Sequence, residues 1–257
     1  MFLDNIFKNV RNSNELYSNP EVDNEEITSF EAGYHYKANR VKANFNAYVT
    51  NWTDRTLSSF GTDDNGTPDD DQDDFDTTTL QRGITQYHSG AELDARYRAT
   101  DWLSFKGFIS AGSWTYKGEA VVSTYNAETN EQIGETSTVN RDGIKVSTAP
   151  QFTAGMGFDA KITTGLSIDA RIKYRDNHYE FTNENTSIED YKGDQLGSYA
   201  LTNAGITYRF SLGNSNKMTF RANMFNVFDK VAIQQTDRFG YFTTGGRTFN
   251  ASMRYEF

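Results

Sequence analysis

An all-β chain that crosses a membrane as an antiparallel barrel is what three features of the sequence predict. Segments alternate at period two with one apolar and one charged stripe, the links between them alternate short and long, and the composition is aromatic-rich and proline-poor. The 257 residues include 19 Phe, 15 Tyr and 3 Trp against 3 Pro, which suits pleated strands better than helices. No apolar run approaches the ~20 residues of a membrane helix, but a barrel strand needs apolar side chains on its lipid face alone. The formal charge of −10 argues against nucleic acid, whose phosphates select basic partners. There is no cysteine, so disulfides and thiolate metal sites are excluded.

Nine strands follow in order. The first places Phe30, Ala32, Tyr34, Tyr36 and Ala38 opposite Glu31, Gly33, His35 and Lys37. The second sets Val41, Ala43, Phe45, Ala47 and Val49 against Lys42, Asn44 and Asn46, and the third sets Ala91, Leu93, Ala95 and Tyr97 against Glu92, Asp94, Arg96 and Arg98. Leu103, Phe105, Gly107, Ile109 and Ala111 form the fourth, and Phe152 to Ile162 the fifth. The sixth is the clearest, with Leu166, Ile168, Ala170, Ile172 and Tyr174 opposed by Asp169, Arg171, Lys173 and Arg175. Ala204 to Phe210, Met218 to Met224 and Phe249 to Phe257 complete the set.

Ionised Asp169, Arg171 and Lys173 cannot lie in a dry core, because an unpaired buried charge costs several kcal/mol. Their face must be wet, while the opposite stripe needs an apolar cover; lipid outside and water inside satisfy both. The links near 39–40, 100–101, 163–165 and 213–216 are tight, whereas those at 54–84, 118–148, 182–196 and 229–243 are long and polar. Strict alternation of this kind marks outer-membrane barrels, with short periplasmic turns and long external loops. Such barrels have an even strand count, so nine strands are expected to be the C-terminal part of a larger barrel. Residues 1–27 read as an external loop leading into the barrel portion at 28–257, and the start carries no signal-peptide pattern.

The segments Asn19-Pro20-Glu21, Glu25-Glu26 and Ser29-Phe30-Glu31-Ala32-Gly33-Tyr34, with the strand end Trp52-Thr53-Asp54-Arg55, resemble the later barrel strands of TonB-dependent outer-membrane receptors. Asn223-Met224-Phe225-Asn226-Val227-Phe228-Asp229-Lys230, Gly240-Tyr241, Gly246-Arg247-Thr248-Phe249 and the terminal Phe257 resemble that family's last two strands. The resemblance implies a gram-negative outer membrane and a plugged barrel of about 22 strands. It further implies uptake of a scarce small-molecule nutrient, foremost an iron–siderophore chelate, driven by a TonB-type complex that acts through a plug region. This chain alone is then a non-transporting portion, with outer-membrane lipid and the barrel assembly machinery as its other partners. The alternatives are a passive porin or adhesion barrel and a secreted soluble calcium- or glycan-binding β-protein.

Local signals are few. Residues 54–83 hold nine Asp against Arg55 and Arg82, a density that repels itself unless solvated or neutralised. Asp63, Asn65, Asp69, Asp71 and Asp73 are therefore a candidate Ca²⁺ site, although the spacing and terminal Glu of an EF-hand loop are lacking. A solvated acidic loop is the plainer reading, and no cofactor is required. Arg96, Arg98, Arg171, Lys173 and Arg175 are expected to face the lumen, either guiding an anionic ligand or pairing with Glu92, Asp94, Asp159 and Asp169. His35, His88 and His178 are too scattered for a metal motif, though His178, near the top of the sixth strand, is suitably placed for haem capture. Trp52, Trp102, Trp114, Tyr116 and Tyr179 lie at strand ends, where interfacial girdles are expected. Phe249, Tyr255 and Phe257 resemble the C-terminal signal read by the barrel assembly machinery. Nothing in the sequence supports catalysis: there is no Ser/His/Asp order, phosphate-cradling loop or His-Glu-x-x-His.

Overall fold

The computed structural model describes residues 24–69, 72–147, 149–182, 186–213, 216–237 and 239–257. Among them are thirteen strands: β1 (Glu26–Lys37), β2 (Val41–Asp63), β3 (Phe75–Arg98), β4 (Leu103–Lys117), β5 (Glu119–Asn126), β6 (Gln132–Asn140), β7 (Phe152–Lys161), β8 (Leu166–Asp176), β9 (Tyr199–Leu212), β10 (Asn216–Phe225), β11 (Ile233–Asp237), β12 (Gly240–Thr243) and β13 (Thr248–Glu256). Nine of them, β1-β2-β3-β4-β7-β8-β9-β10-β13, form one meandering antiparallel sheet. These are the nine strands the alternation predicts. The sheet is open, β1 and β13 being its two margins. Residues 1–23 of the segment read as an external loop lie outside the described residues, and Glu26 and Ile27 already belong to β1.

Register carries the apolar stripe from strand to strand. Tyr34 lies opposite Phe45, Phe45 opposite Leu93, Leu93 opposite Ile109 and Ile109 opposite Ala154. Further along, Met156 faces Ile172, Ile168 faces Ile206, Ile206 faces Ala222 and Ala222 faces Ala251. A slip of one residue at any pair would turn a whole strand inside out, so the pattern fixes the register. No second layer covers this face among the described residues: Phe30 is 73% exposed, Met156 65% and Phe249 67%. In a soluble protein such a patch would be far beyond the few hundred Å² a monomer exposes; against hydrocarbon it is the required surface.

Tight turns join the strands at one end, as expected. Ala38 N–H donates to Val41 C=O at 2.8 Å, Thr100 N–H to Leu103 C=O at 3.1 Å and Ile162 N–H to Leu166 C=O at 2.8 Å.

At the other end the structure departs from the reading of 54–84, 118–148 and 229–243 as long loops. β2 and β3 run on to Asp63 and from Phe75, leaving a turn at 64–74, while β5 and β6 form a hairpin whose inner strand adds to β3. The pair β11–β12 is a second, separate hairpin. Thr, Ser and β-branched residues favour strands here, but the buried positions of the extension are mostly polar, Thr56, Thr77, Thr78 and Gln81 among them, so no apolar alternation marks them. With β2 at 23 residues and β3 at 24, against about 9–11 for a spanning strand, roughly ten residues of each project about 30 Å past the apolar rows. A bulge between Trp52 and Leu57, with Asp54 at φ 56° and Gly83 at φ 69°, separates the two parts. The compact core lies at this end, built from Ile84, Ala120, Val122, Ile144 and Val146.

Candidate functional site

Because side chains alternate across a strand, every residue flanking the apolar stripe lies on the opposite face, and the sheet aligns these into rows. One row runs Asn44, Asp94, Phe108, Gly155, Lys173, Leu201; the next runs Arg96, Lys106, Gly157, Arg171, Asn203. All of these but Asn44 line a recess of about 520 Å³. Of the five basic residues singled out from the sequence, Arg96, Arg171, Lys173 and Arg175 line it, and Arg98 lies in the adjoining recess of about 550 Å³.

Two glycines keep the recess open. Gly155 lies beneath the Phe108 ring, and a Cβ on Gly157 would meet Ala170 O at 2.6 Å and Arg171 Cγ at 2.8 Å. Lys173 Nζ stands 5.7 Å from the centre of the Phe108 ring, a cation–π distance. Arg175 donates to the Tyr199 hydroxyl at 2.7 Å.

The carboxylates expected to neutralise these cations are engaged elsewhere. Asp159 pairs with Lys106 at 2.8 Å, and Asp169 accepts a two-pronged contact from Arg221, which also donates to Thr207 at 2.9 Å. Asp94 accepts from the Asn44 amide at 3.1 and 3.0 Å, and Glu92 from Ser110 at 3.1 Å. Lys106 and Arg221 were missed by sequence reasoning. The signal was present, since Arg221 sits between apolar Phe220 and Ala222, but only the apolar positions of that strand were read.

The acidic turn organises itself through its own hydrogen bonds. Asn65 N–H donates to Asp63 at 2.9 Å, and Asp73 accepts from the Thr67 hydroxyl at 2.7 Å and the Asn65 amide at 3.2 Å. These two donors, Thr67 first, hold the Asp73 carboxyl below the usual aspartate range. Asp69 is exposed and Asp71 lies outside the described residues. No group of three or more acidic or histidine side chains suited to a metal occurs among the described residues.

His178 is not open to an external ligand. It is 2% exposed, its Nε2 lies 3.3 Å from Ile233 O, and its ring packs edge-on to Tyr199 at 5.8 Å. The aromatic girdle also needs correcting. Trp52, Trp114 and Tyr116 have the parity of the charged face: Trp114 donates to the Tyr48 hydroxyl at 3.0 Å, and Tyr48 lies over Gly90. Tyr174 and Phe152, edge-on at 6.1 Å, have the outward parity instead. At the C-terminus Phe249, Tyr255 and Phe257 are exposed, with the last two rings 6.2 Å apart.

A family model described as "TonB dependent receptor-like, beta-barrel" matches residues 5–227. Among solved structures, the fold is similar to that of "Copper transporter OprC", with a TM-score of 0.59, 14% identity, and coverage of 91% of this chain and 31% of that one. The outer membrane transporter YddB from Escherichia coli gives a TM-score of 0.56 at 15% identity, covering 91% of this chain and 33% of that one. The chain thus spans about a third of the length of either solved chain, and at these identities the likeness is one of fold. No curated protein sequence matches.

Proposed function

Since the chain belongs to the TonB-dependent receptor-like β-barrel family, we propose that it works as the C-terminal part of a larger closed barrel that imports a scarce nutrient with energy supplied by a TonB-type inner-membrane complex. The family is one of outer-membrane receptors and transporters of gram-negative bacteria, not of enzymes. The observation that carries the reading is the pairing of two continuous faces over nine strands, one apolar and exposed, the other charged and recessed. Hydrocarbon on one side and a hydrated lumen on the other are what such a sheet requires. Its open margins favour a larger ring, since unpaired backbone groups are not tolerated in lipid.

The cargo we propose is an iron chelate. The basic wall supports this, because chelating groups are commonly carboxylates or other anions that cations attract. A plug domain within the same receptor would carry the contact with the energy-coupling complex, and the assembly machinery would take Phe249, Tyr255 and Phe257 as its signal.

The test is growth and labelled-iron uptake in cells with the receptor gene intact, deleted, or intact beside an inactivated coupling complex. Uptake of an iron chelate that needs both receptor and coupling complex is expected. Uptake independent of coupling would make the protein a passive pore.

A further inference from the structure

Asn65 is the sole asparagine of the sequence that is followed by glycine, and the structure sets Asn65-Gly66 at the exposed tip of the β2–β3 hairpin. Asn65 at φ 51° and Gly66 at φ 78°, with Thr67 N–H donating to Asp64 C=O at 2.8 Å, form a type I′ turn. An asparagine amide carbon and the next backbone nitrogen are an electrophile and a nucleophile that can close a five-membered ring. Glycine brings no Cβ to hinder that approach, and nothing among the described residues lies within 4 Å of where one would stand on Gly66.

The folded turn withholds both reacting groups. Gly66 N–H donates to Asp64 Oδ1 at 3.0 Å, and the Asn65 amide donates to Asp73 Oδ2 at 3.2 Å. Asp73 is kept ionised, and so an acceptor, by the Thr67 hydroxyl at 2.7 Å together with Asn65.

We propose that Asn65 is a site of spontaneous covalent modification, deamidation through a cyclic imide, gated by closure of this turn. When the turn opens, Gly66 N loses its proton to solvent base and bonds to Asn65 Cγ; the Cγ–Nδ2 bond breaks and the amide nitrogen leaves as ammonia. Water then adds to one of the two imide carbonyls and opens the ring. Breaking the new bond at Cγ leaves aspartate, and breaking the original peptide bond leaves isoaspartate. The product cannot restore the closed turn. A carboxylate at position 65 has no N–H for Asp73, and it stands among Asp63, Asp64 and Asp73, where like charges repel. Isoaspartate also lengthens the main chain by a methylene, which the tight turn does not accommodate. The change runs one way, making the hairpin tip more acidic and more open with age, whatever the receptor carries.

The experiment incubates the whole receptor, folded in lipid nanodiscs, in mildly alkaline buffer and follows each asparagine by peptide mass spectrometry, with enzymatic methylation of isoaspartate as a second readout. Conversion at Asn65 is expected to outpace that at Asn126, which precedes Ala127, about tenfold, since the alanine methyl hinders ring closure. Thr67→Val removes a donor from Asp73, loosens the turn and should speed conversion several-fold. Gly66→Ala strains the same turn, because φ is positive there, yet should slow conversion about tenfold; turn opening by itself would do the reverse. Equal rates at Asn65 and Asn126 overturn the proposal, as does a Gly66→Ala variant that converts as fast as the wild type. A rate unchanged by Thr67→Val overturns the gate.

Discussion

Arg221 on β10 reaches across β9 to grip both carboxylate oxygens of Asp169 on β8, passing directly over Gly205. Three strands are thereby tied at one level of the wall, and the glycine is the condition for it: any Cβ at 205 would collide with the guanidinium.

Replacing Gly205 with Val is expected to displace Arg221 and destabilise the folded receptor by about 1–3 kcal/mol through overpacking. Arg221→Ala should cost about 1–2 kcal/mol, discounted for partial exposure of the pair. Urea unfolding in lipid, with Asp169→Asn completing a double-mutant cycle, checks both; a coupling energy below about 0.5 kcal/mol would show that the pair does not act as a unit.

Ile206 lies on the exposed apolar face opposite Ile168 and Ala222. Ile206→Lys is expected to cost about 2–4 kcal/mol, as for a charge near the bilayer midplane. Ser110→Lys, on the charged face beside Glu92, should be close to neutral. Equal costs for the two would remove the distinction between the faces. The measurement is equilibrium unfolding from lipid vesicles.

The Asp73 carboxylate is stabilised by Thr67 and Asn65. A depressed folded pKa means that its contribution is fully present above the ordinary aspartate value and lost as pH falls through the lower folded value. Acid should therefore release the 64–74 turn while leaving the spanning strands unchanged. Thr67→Val is expected to move the Asp73 titration midpoint upward, read by carboxyl NMR.

His178 joins the 177–198 link to the β11–β12 hairpin, its ring against Ile233 O and its carbonyl accepting from Leu196 N–H at 2.8 Å, with Phe181 N–H bonded to Thr236 at 2.6 Å. His178→Ala empties a buried position and is expected to destabilise this contact by about 1–3 kcal/mol. Hydrogen exchange should quicken at Leu196 and Phe181 and stay unchanged in β8 below Tyr174.

How much of this was legible in the sequence follows from where water lies. Where one face meets lipid and the other water, the two-residue period is sharp, and Leu166 to Arg175 shows it most plainly. Past the bulge at Asp54 the buried positions of β2 and β3 are themselves mostly polar, Thr56, Thr77, Thr78 and Gln81 among them, so Thr56 to Thr62 carries strand propensity without apolar alternation and reads as loop. Trp114 was placed in a girdle by its position along the strand, but its parity sends it to the charged face beside Tyr48. For the wall recess, alternation marks Arg96 and Arg171 as inward. That they share one cavity depends on a register between β3, β4, β7 and β8 that the sequence does not state.

The paired irregularities at Asp54 and Gly83 divide the β2–β3 hairpin into two lengths, and the outer one is laced to β5 from Thr77 to Arg82, so what stands above the membrane rim is a braced three-strand buttress and not a lone ribbon.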